Sequence, residues 1–322
     1  MSGAFVLSLD TEVAWGTFTW GGTKYYRRHF DSYRQNVGRF IDLMDKYEIP
    51  STWAFVGHLM LDSCDGNHPE APAPTFPWYG RPWYDIDPGT NAQQDPWWYA
   101  PDVLQRVLAM KTPQEIGTHT FSHVFLNDPA VTPEMAHAQI EASVKVAQAR
   151  GLTIESLVFP RDGVAHLDQY AALGITNYRG AEQIGYNALA RPLRRAAGMC
   201  DHLAGGTPPV YGWHDLETHH GLLNIPGSTF ALAYDRYHRF VSTGARIAKF
   251  RRGLDAAEKQ DAIFHLAFHP FHLGSSEQMF GLFERYFRLA AEARDAGRVD
   301  ILTMRDVQRA HARLTAPAVQ AA

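Results

Sequence analysis

At 322 residues the chain is long enough to bury one large α/β core or two ordinary ones. Its 45% hydrophobic and 20% charged residues are the balance of a soluble globular protein and exclude a disordered or fibrous one. A net charge of −4 leaves no basic excess for neutralising phosphates, which argues against nucleic acid or an anionic membrane as partner; 16 histidines and abundant Trp and Tyr hint at a metal or sugar site.

The N-terminal "MSGAFVLSLD" runs directly into a strand pattern, with no basic segment leading an apolar one. No stretch of about 20 apolar residues is present to span a membrane. Cys64 and Cys200 have no CxxC spacing, so the sequence offers neither a disulfide framework nor a thiolate zinc site, and it fits a reducing compartment. The expectation is a cytoplasmic protein of enzyme size.

In chain order, "AFVLSL" reads as a strand, and "SYRQNVGRFIDLMDKY" as a helix with Tyr33, Val37, Phe40, Ile41 and Met44 on one stripe. "IPSTWAFVG" is the second strand. Further strands are expected at 115–119, 156–160, 175–179, 222–227, 263–269 and 300–304, and helices at 101–110, 132–149, 167–173, 240–252, 277–296 and 305–313. The alternation favours a parallel sheet, open or closed into a barrel. Residues 61–100, dense in Pro, Gly and aromatics, form a long irregular segment of the kind used as a lid or binding loop. The segment 187–221 is poorly patterned, and residues 314–322 read as a disordered tail.

Alternation along "FVLSLDTE" turns Phe5, Leu7 and Leu9 to one side and Val6, Ser8, Asp10 and Glu12 to the other. Two carboxylates therefore project from the strand's carboxyl end, where α/β folds bind ligands; a solvated acidic turn is the plainer alternative. "EIGTHTFSH" sets His119 and His123 four apart, as one helical turn would, so that both rings reach one point. Two imidazoles and a carboxylate make a zinc-type set with an open position. In "IFHLAFHPFHLG", His265 and His269 share strand parity, and His269 stands at the strand end as a protonatable group. "VFPRDG" places Arg161 after another strand, a natural partner for a carboxylate.

Taken together, "FVLSLDTE", "STWAFVG", "HTFSH", "FPRDG" and "LAFHP" resemble the polysaccharide deacetylase (NodB-homology) family of metal-dependent carbohydrate esterases, over nearly the whole chain. The resemblance implies an α/β fold: a distorted (β/α) barrel of about seven strands over residues 1–313, as a single domain with 61–100 as an aromatic-rich loop insertion. It implies His119 and His123 as metal ligands, Asp10 as general base, Arg161 as the group orienting it and His269 as general acid. The first motif departs from the family's adjacent aspartates, with Thr11 next and Glu12 as the following acid. Branches with Asp-x-Asp spacing imply Glu12 as third ligand, with Asp10 as the alternative. The acidic partner that usually tunes the catalytic histidine is not recognisable. The implied cofactor is a divalent cation, Zn²⁺ first and Co²⁺, Ni²⁺ or Mn²⁺ as substitutes, which activates water and polarises the acyl oxygen. A backbone N–H near Asp162 and Gly163 is expected to help hold the oxyanion.

The implied reaction removes N- or O-acetyl groups from a sugar in surface-polysaccharide or glycoconjugate biosynthesis. Alternatives are hydrolysis of a ureide, cyclic imide or formamide on the same scaffold, and an inactive carbohydrate-binding relative. The aromatics of 77–88 and 95–99 can stack on sugar rings or simply pack on each other as a cap. "GWHDLETHHG" (212–221) can be a metal-rich loop or a merely polar one, and Arg191, Arg194 and Arg195 a diphosphate site or a solvated face. The expected partner is a small-molecule or glycoconjugate substrate, with no nucleic acid and no membrane span; a homo-oligomer stays open. No GxSxG, P-loop or GxGxxG motif supports serine-hydrolase, NTPase or dinucleotide chemistry.

Overall fold

The computed structural model describes residues 2–315. Its strands are β1 (Gly3–Thr11), β2 (Thr52–Phe55), β3 (Glu115–Thr118), β4 (Ser156–Val158), β5 (Asn177–Arg179), β6 (Tyr211–Gly212), β7 (Thr218–His219), β8 (Leu222–Asn224), β9 (Thr229–Phe230), β10 (Ala262–Phe268) and β11 (Val299–Leu302). Its helices are α1 (Gly22–Tyr25), α2 (Arg27–Asp31), α3 (Tyr33–Tyr47), α4 (Pro101–Leu108), α5 (Pro133–Gln148), α6 (Arg191–Ala204), α7 (Thr243–Gln260), α8 (Gln278–Asp295) and α9 (Met304–Thr315). Leu314 and Thr315 of the expected tail belong to α9, and residues 316–322 lie outside the described residues.

Seven strands run parallel in the order β10-β1-β2-β3-β4-β5-β8. The chain leaving β8 bends through Ile225–Ser228 into β9, which pairs in parallel with the free edge of β10. Across this bend, Gly227 N–H donates to Gly180 C=O and Ser228 N–H to His265 C=O. One bent run therefore touches both edges of the sheet and closes the expected distorted barrel. At its lower end β11 extends beside β1, and the short antiparallel β6 sits on β10.

Strand parity divides the core. Ala4, Val6, Ala54, Val158, Leu223, Ile225 and Ile263 fill a narrow interior that Met304, Val307 and Ala310 of α9 plug from below. Phe5, Leu7 and Leu9 point outward into the layer between strands and helices, against residues such as Phe264, Phe250 and Leu266. The stripe expected on α3 is buried in that layer. Helix starts follow their caps: Thr132 and Ser242 accept N–H bonds from Met135 and Ala245 in the first turns of α5 and α7. The long helix expected at 240–252 begins at that second cap and runs to Gln260.

Two expectations fail locally. Residues 167–173 form two 3₁₀ turns rather than a helix, because the segment is too short and too exposed to bury an apolar stripe. The region 187–221 contains α6, an amphipathic helix none of whose described side chains is fully buried. The 61–100 segment is irregular, as expected, and its ends are tied by a bridge between Ser63 and Asn91. Phe76, Trp83 and Tyr99 are buried in it, so most of its aromatics pack as a cap, whereas Trp78 stays 49% exposed. No helix among the described residues is long and apolar enough to cross a membrane.

Candidate active site

The carboxyl ends of the parallel strands open into a cavity of about 320 Å³. Asp10, Glu12, His119, His123, Arg161 and His269 all line it, joined by Arg179, Asp162, Gly16 and Phe230. The motifs, spread in sequence from residue 10 to residue 269, thus meet at one place.

Asp10 ends the inward-facing row of β1, buried beside Ser8. Arg179, at the end of β5, donates from Nη1 to Asp10 Oδ1 at 2.5 Å and from Nη2 to Oδ2 at 2.7 Å. Nη1 also reaches Ser8 Oγ at 3.0 Å and Nη2 reaches Asp162 Oδ1 at 3.1 Å. Burial by itself would raise the Asp10 pKa; the Arg179 guanidinium, followed by His269, outweighs it and holds the carboxyl below its usual range. Below this pair, His265 Nε2 lies 2.9 Å from Ser8 Oγ and its Nδ1 lies 3.2 Å from the Ile225 carbonyl. Burial, then the nearby Arg179 charge, push His265 down to about 3, so it is neutral.

The guanidinium on Asp10 is therefore that of Arg179, where the sequence pointed to Arg161. Arg161 and Asp162 sit in left-handed backbone conformations at the end of β4, and this turn sends the Asp162 carboxylate toward Arg179. The Arg161 guanidinium instead lies 3.9 Å over the Phe125 ring, with Nη2 at 3.4 Å from Thr19 Oγ1. The backbone N–H groups of Asp162 and Gly163 are spent within the turn, on the carbonyls of Phe159 and Pro160. They are not free for an oxyanion, and the Arg161 side chain is the donor left on that wall.

Glu12 Oε2 lies 2.9 Å from His123 Nε2 and 3.3 Å from His119 Nε2. The two imidazoles do not meet on a helical turn. Residues 119–123 form a loop with Thr120 at φ 62° and His123 at φ 61°, a conformation costing roughly 1–3 kcal/mol per residue that surrounding contacts must hold. They do so through Gly57 N–H to Thr120 C=O at 2.8 Å, His58 N–H to Phe121 C=O at 2.8 Å, and Gln139 Oε1, which accepts from the Ser122 N–H and Oγ at 3.1 Å. Burial would raise the Glu12 pKa, but His269 and His123 outweigh it and keep the carboxylate ionised.

The donors fit a cation. His119 Nδ1 donates to the Val158 carbonyl at 2.8 Å, so in the neutral ring Nε2 carries a bare lone pair. That atom is buried and without a hydrogen-bond partner, yet it faces a carboxylate oxygen, and two acceptors share such a space only around a positive charge. The set of two nitrogens and one oxygen suits Zn²⁺ and its first-row neighbours.

His269 closes the opposite side. Its Nε2 is 3.7 Å from both Asp10 Oδ2 and Glu12 Oε1, and its ring stacks on Phe230 at 5.5 Å. No other carboxylate among the described residues lies within ion-pair reach of His269, and its neighbour on the buried side is His272, 5.6 Å away centroid to centroid.

Of the remaining candidates, 212–221 joins no group able to hold a metal among the described residues; it buries Trp213 and Leu216 and leads into the β7–β8 hairpin, and Arg194 and Arg195 lie on an exposed face of α6. Arg179 is the functional residue that sequence reasoning missed. The available signal was parity: in "ITNYR" Asn177 and Arg179 share the face opposite Tyr178, so the strand aims an arginine into the barrel.

Residues 28–166, less than half of the chain, match the family model for polysaccharide deacetylases. The match includes His119, His123 and Arg161 but not Asp10, Glu12, Arg179 or His269. No curated protein sequence matches. Among solved structures, the fold is similar to a Mycobacterium smegmatis protein assigned to the polysaccharide deacetylases (13% identity, 98% of this chain and 91% of that one, TM-score 0.62). It is also similar to one so assigned from Pseudomonas aeruginosa PAO1 (11% identity, 98% and 92% coverage, TM-score 0.56) and to Puue allantoinase (11% identity, 98% and 91% coverage, TM-score 0.57).

Proposed function

We propose that this chain belongs to the polysaccharide deacetylase family, whose model matches residues 28–166, and is a metal-dependent hydrolase that removes acetyl groups from an amino sugar or acetylated sugar. The observation that carries the reading is the joining of two units in one cavity: the Glu12–His119–His123 donor set and the Asp10–Arg179 pair facing His269. Glu12, His119 and His123 would hold the ion. When bound, it supplies a Lewis acid and a water of lowered pKa.

The remaining chemistry belongs to the side chains. Asp10, kept ionised by Arg179, is the base that accepts a proton from the attacking water. Because Arg179 occupies both carboxylate oxygens, Asp10 is committed to the base role, which supports Glu12 as the third ligand. Arg161 stands on the cavity wall as a cationic donor for the developing oxyanion. His269, partly open to the cavity and clamped by Phe230, donates the proton that the departing amine or alcohol needs. Trp78, half exposed and stacked on Phe125 at 5.5 Å with its indole N–H on Asp128 at 2.8 Å, offers a flat face at the rim for a sugar ring. Both cysteines are free of disulfides, which supports a reducing compartment such as the cytoplasm, with substrate in a biosynthetic glycoconjugate.

A second reading is hydrolysis of a ureide, cyclic imide or formamide. It is favoured by the Asp-x-Glu spacing and by the fold shared with Puue allantoinase. One experiment separates the two: strip the protein with chelator, restore Zn²⁺, Co²⁺, Ni²⁺ or Mn²⁺, and follow acetate release from N- and O-acetylated sugars beside ring opening of ureides and imides. Metal-restored acetate release is expected. Turnover confined to the ureide or imide series replaces the substrate class, and turnover that survives full demetallation refutes the metal mechanism.

A further inference from the structure

We propose that the chain carries a second, structural metal site, built by His58, Cys64, His68 and Asp87 and apart from the cavity described above. One ligand atom from each of these four side chains lies within 4.8 Å of the others. Asp87 Oδ2 is 2.8 Å from His58 Nε2, 2.8 Å from His68 Nε2 and 3.4 Å from Cys64 Sγ, and Cys64 Sγ is 3.4 Å from His58 Nε2. With metal–ligand bonds of about 2.0–2.3 Å, four such atoms surround one zinc-sized ion after only small adjustments.

The hydrogen-bond arrangement favours a cation there. His58 Nδ1 faces the Trp98 carbonyl at 3.1 Å and His68 Nδ1 faces Glu70 Oε1 at 3.3 Å. Both partners only accept, so Nδ1 is the protonated nitrogen of each neutral ring, and Nε2 of each then aims a lone pair at the same Asp87 oxygen. The alternative is two imidazolium ions, a thiol and one carboxylate in a space where the side chains of His58 and Asp87 have no solvent exposure, which burial disfavours. A divalent ion with two neutral imidazoles, one thiolate and one carboxylate is instead neutral overall.

The surroundings also have the form of a metal site. Each histidine has its remote nitrogen fixed by a carbonyl or carboxylate. The Gly66 N–H points at Cys64 Sγ at 3.4 Å, the Gly89 N–H at Asp87 Oδ1 at 3.0 Å, and Tyr99 Oη lies 3.0 Å from the sulfur. Four protein ligands in a closed shell mark a structural rather than a catalytic ion, and the N₂SO set selects Zn²⁺ among common cations.

The placement gives the ion a task. His58 lies in the turn after β2, whereas Cys64, His68 and Asp87 belong to the 61–100 segment, so the ion clips that segment onto the barrel. The His58 ring packs on Trp15 at 4.6 Å, three residues beyond Glu12, so the clip also buttresses one wall of the cavity. The sequence concealed it because the ligands are scattered over thirty residues with a single cysteine and no paired spacing.

The test counts ions and thiols on the full-length protein. Loaded with Zn²⁺ and desalted, it should hold two ions per chain, falling to one in His119→Ala and to one in Cys64→Ser. Loaded with Co²⁺, wild type and His119→Ala should both show a thiolate-to-cobalt charge-transfer band in the near ultraviolet that Cys64→Ser lacks. With a thiol reagent, the metal-loaded wild type should expose one reactive cysteine, the exposed Cys200, and the stripped protein two. This last measurement needs no variant to fold. One ion per chain, lost entirely in His119→Ala, refutes the site, as does a cobalt spectrum without the thiolate band or a Cys64 equally reactive with and without metal.

Discussion

Arg179 grips both oxygens of Asp10, at 2.5 and 2.7 Å, inside a barrel interior where neither side chain meets solvent to any extent. Breaking one side of such a buried pair costs on the order of 3–5 kcal/mol because the other charge is stranded. In the proposed mechanism the pair is a functional device: it would fix the direction of the base and set its proton affinity. Arg179→Lys keeps the charge but loses the bidentate fork. It is expected to lower kcat/KM by roughly 10²–10⁴-fold and to move the acid limb of the pH–rate profile upward, since a less strongly held Asp10 protonates at higher pH. An acid limb that stays in place would show that Arg179 does not tune the base.

Asp10 and Glu12, two residues apart, should separate cleanly by readout. Asp10→Asn is expected to abolish turnover and leave the active-site ion bound, because its oxygens face Arg179. Glu12→Gln is expected to weaken that ion, because Oε2 is the carboxylate atom between the His119 and His123 nitrogens. Equilibrium dialysis of each variant against Zn²⁺, on a background with Cys64→Ser to silence the second site, measures the difference. Unchanged affinity in Glu12→Gln would remove Glu12 from the ligand shell.

Gly16 lines the cavity directly behind that carboxylate, and a Cβ built on it would collide with the Glu12 side-chain carbon and both of its oxygens. Gly16→Ala must therefore displace a proposed ligand without touching the ion itself. A loss of metal affinity of about 10–100-fold, the usual scale for disturbing a ligand's support, is expected with the thermal unfolding midpoint of the metal-free protein little changed. Wild-type affinity in this variant would mean that Glu12 has another productive position.

Which parts of this were legible beforehand follows from where the information sits. Apolar runs bounded by Gly and Pro marked the strands of the barrel, and Asp10, Glu12, His119, His123 and His269 announced themselves as polar groups at strand ends. Three features were not legible for physical reasons. The loop on which His119 and His123 meet, in place of the expected helical turn, depends on positive φ at Thr120 and His123, which a β-branched threonine disfavours and tertiary contacts impose. The choice of Arg179 over Arg161 depends on a left-handed turn that swings one guanidinium away, while a strand's parity aims the other inward. The His58–Cys64–His68–Asp87 cluster depends on how an irregular loop doubles back, for which periodicity carries no signal.

His265 supplies a test of the interior that does not involve turnover. Its ring bridges Ser8 and the Ile225 carbonyl one layer below Asp10, and burial together with the Arg179 charge pushes it down from 6.5 to about 3. Above about pH 6.5 the folded and unfolded chains both hold it neutral, so its stabilising contribution is fully present. As pH falls toward 3 the unfolded chain takes up a proton that the folded chain refuses, and stability declines by at most about 1.4 kcal/mol per pH unit from this one group. His265→Gln can keep both hydrogen bonds but cannot titrate. At pH 7 it is expected to be less stable than wild type by about 1 kcal/mol, for imperfect geometry in a buried network. In urea unfolding at successively lower pH that gap should close and then reverse, because only the wild type bears the histidine's proton penalty. Parallel curves for the two proteins from pH 7 to 4 would show that His265 is not held neutral and that the Ser8 hydroxyl, shared with Arg179, is arranged otherwise.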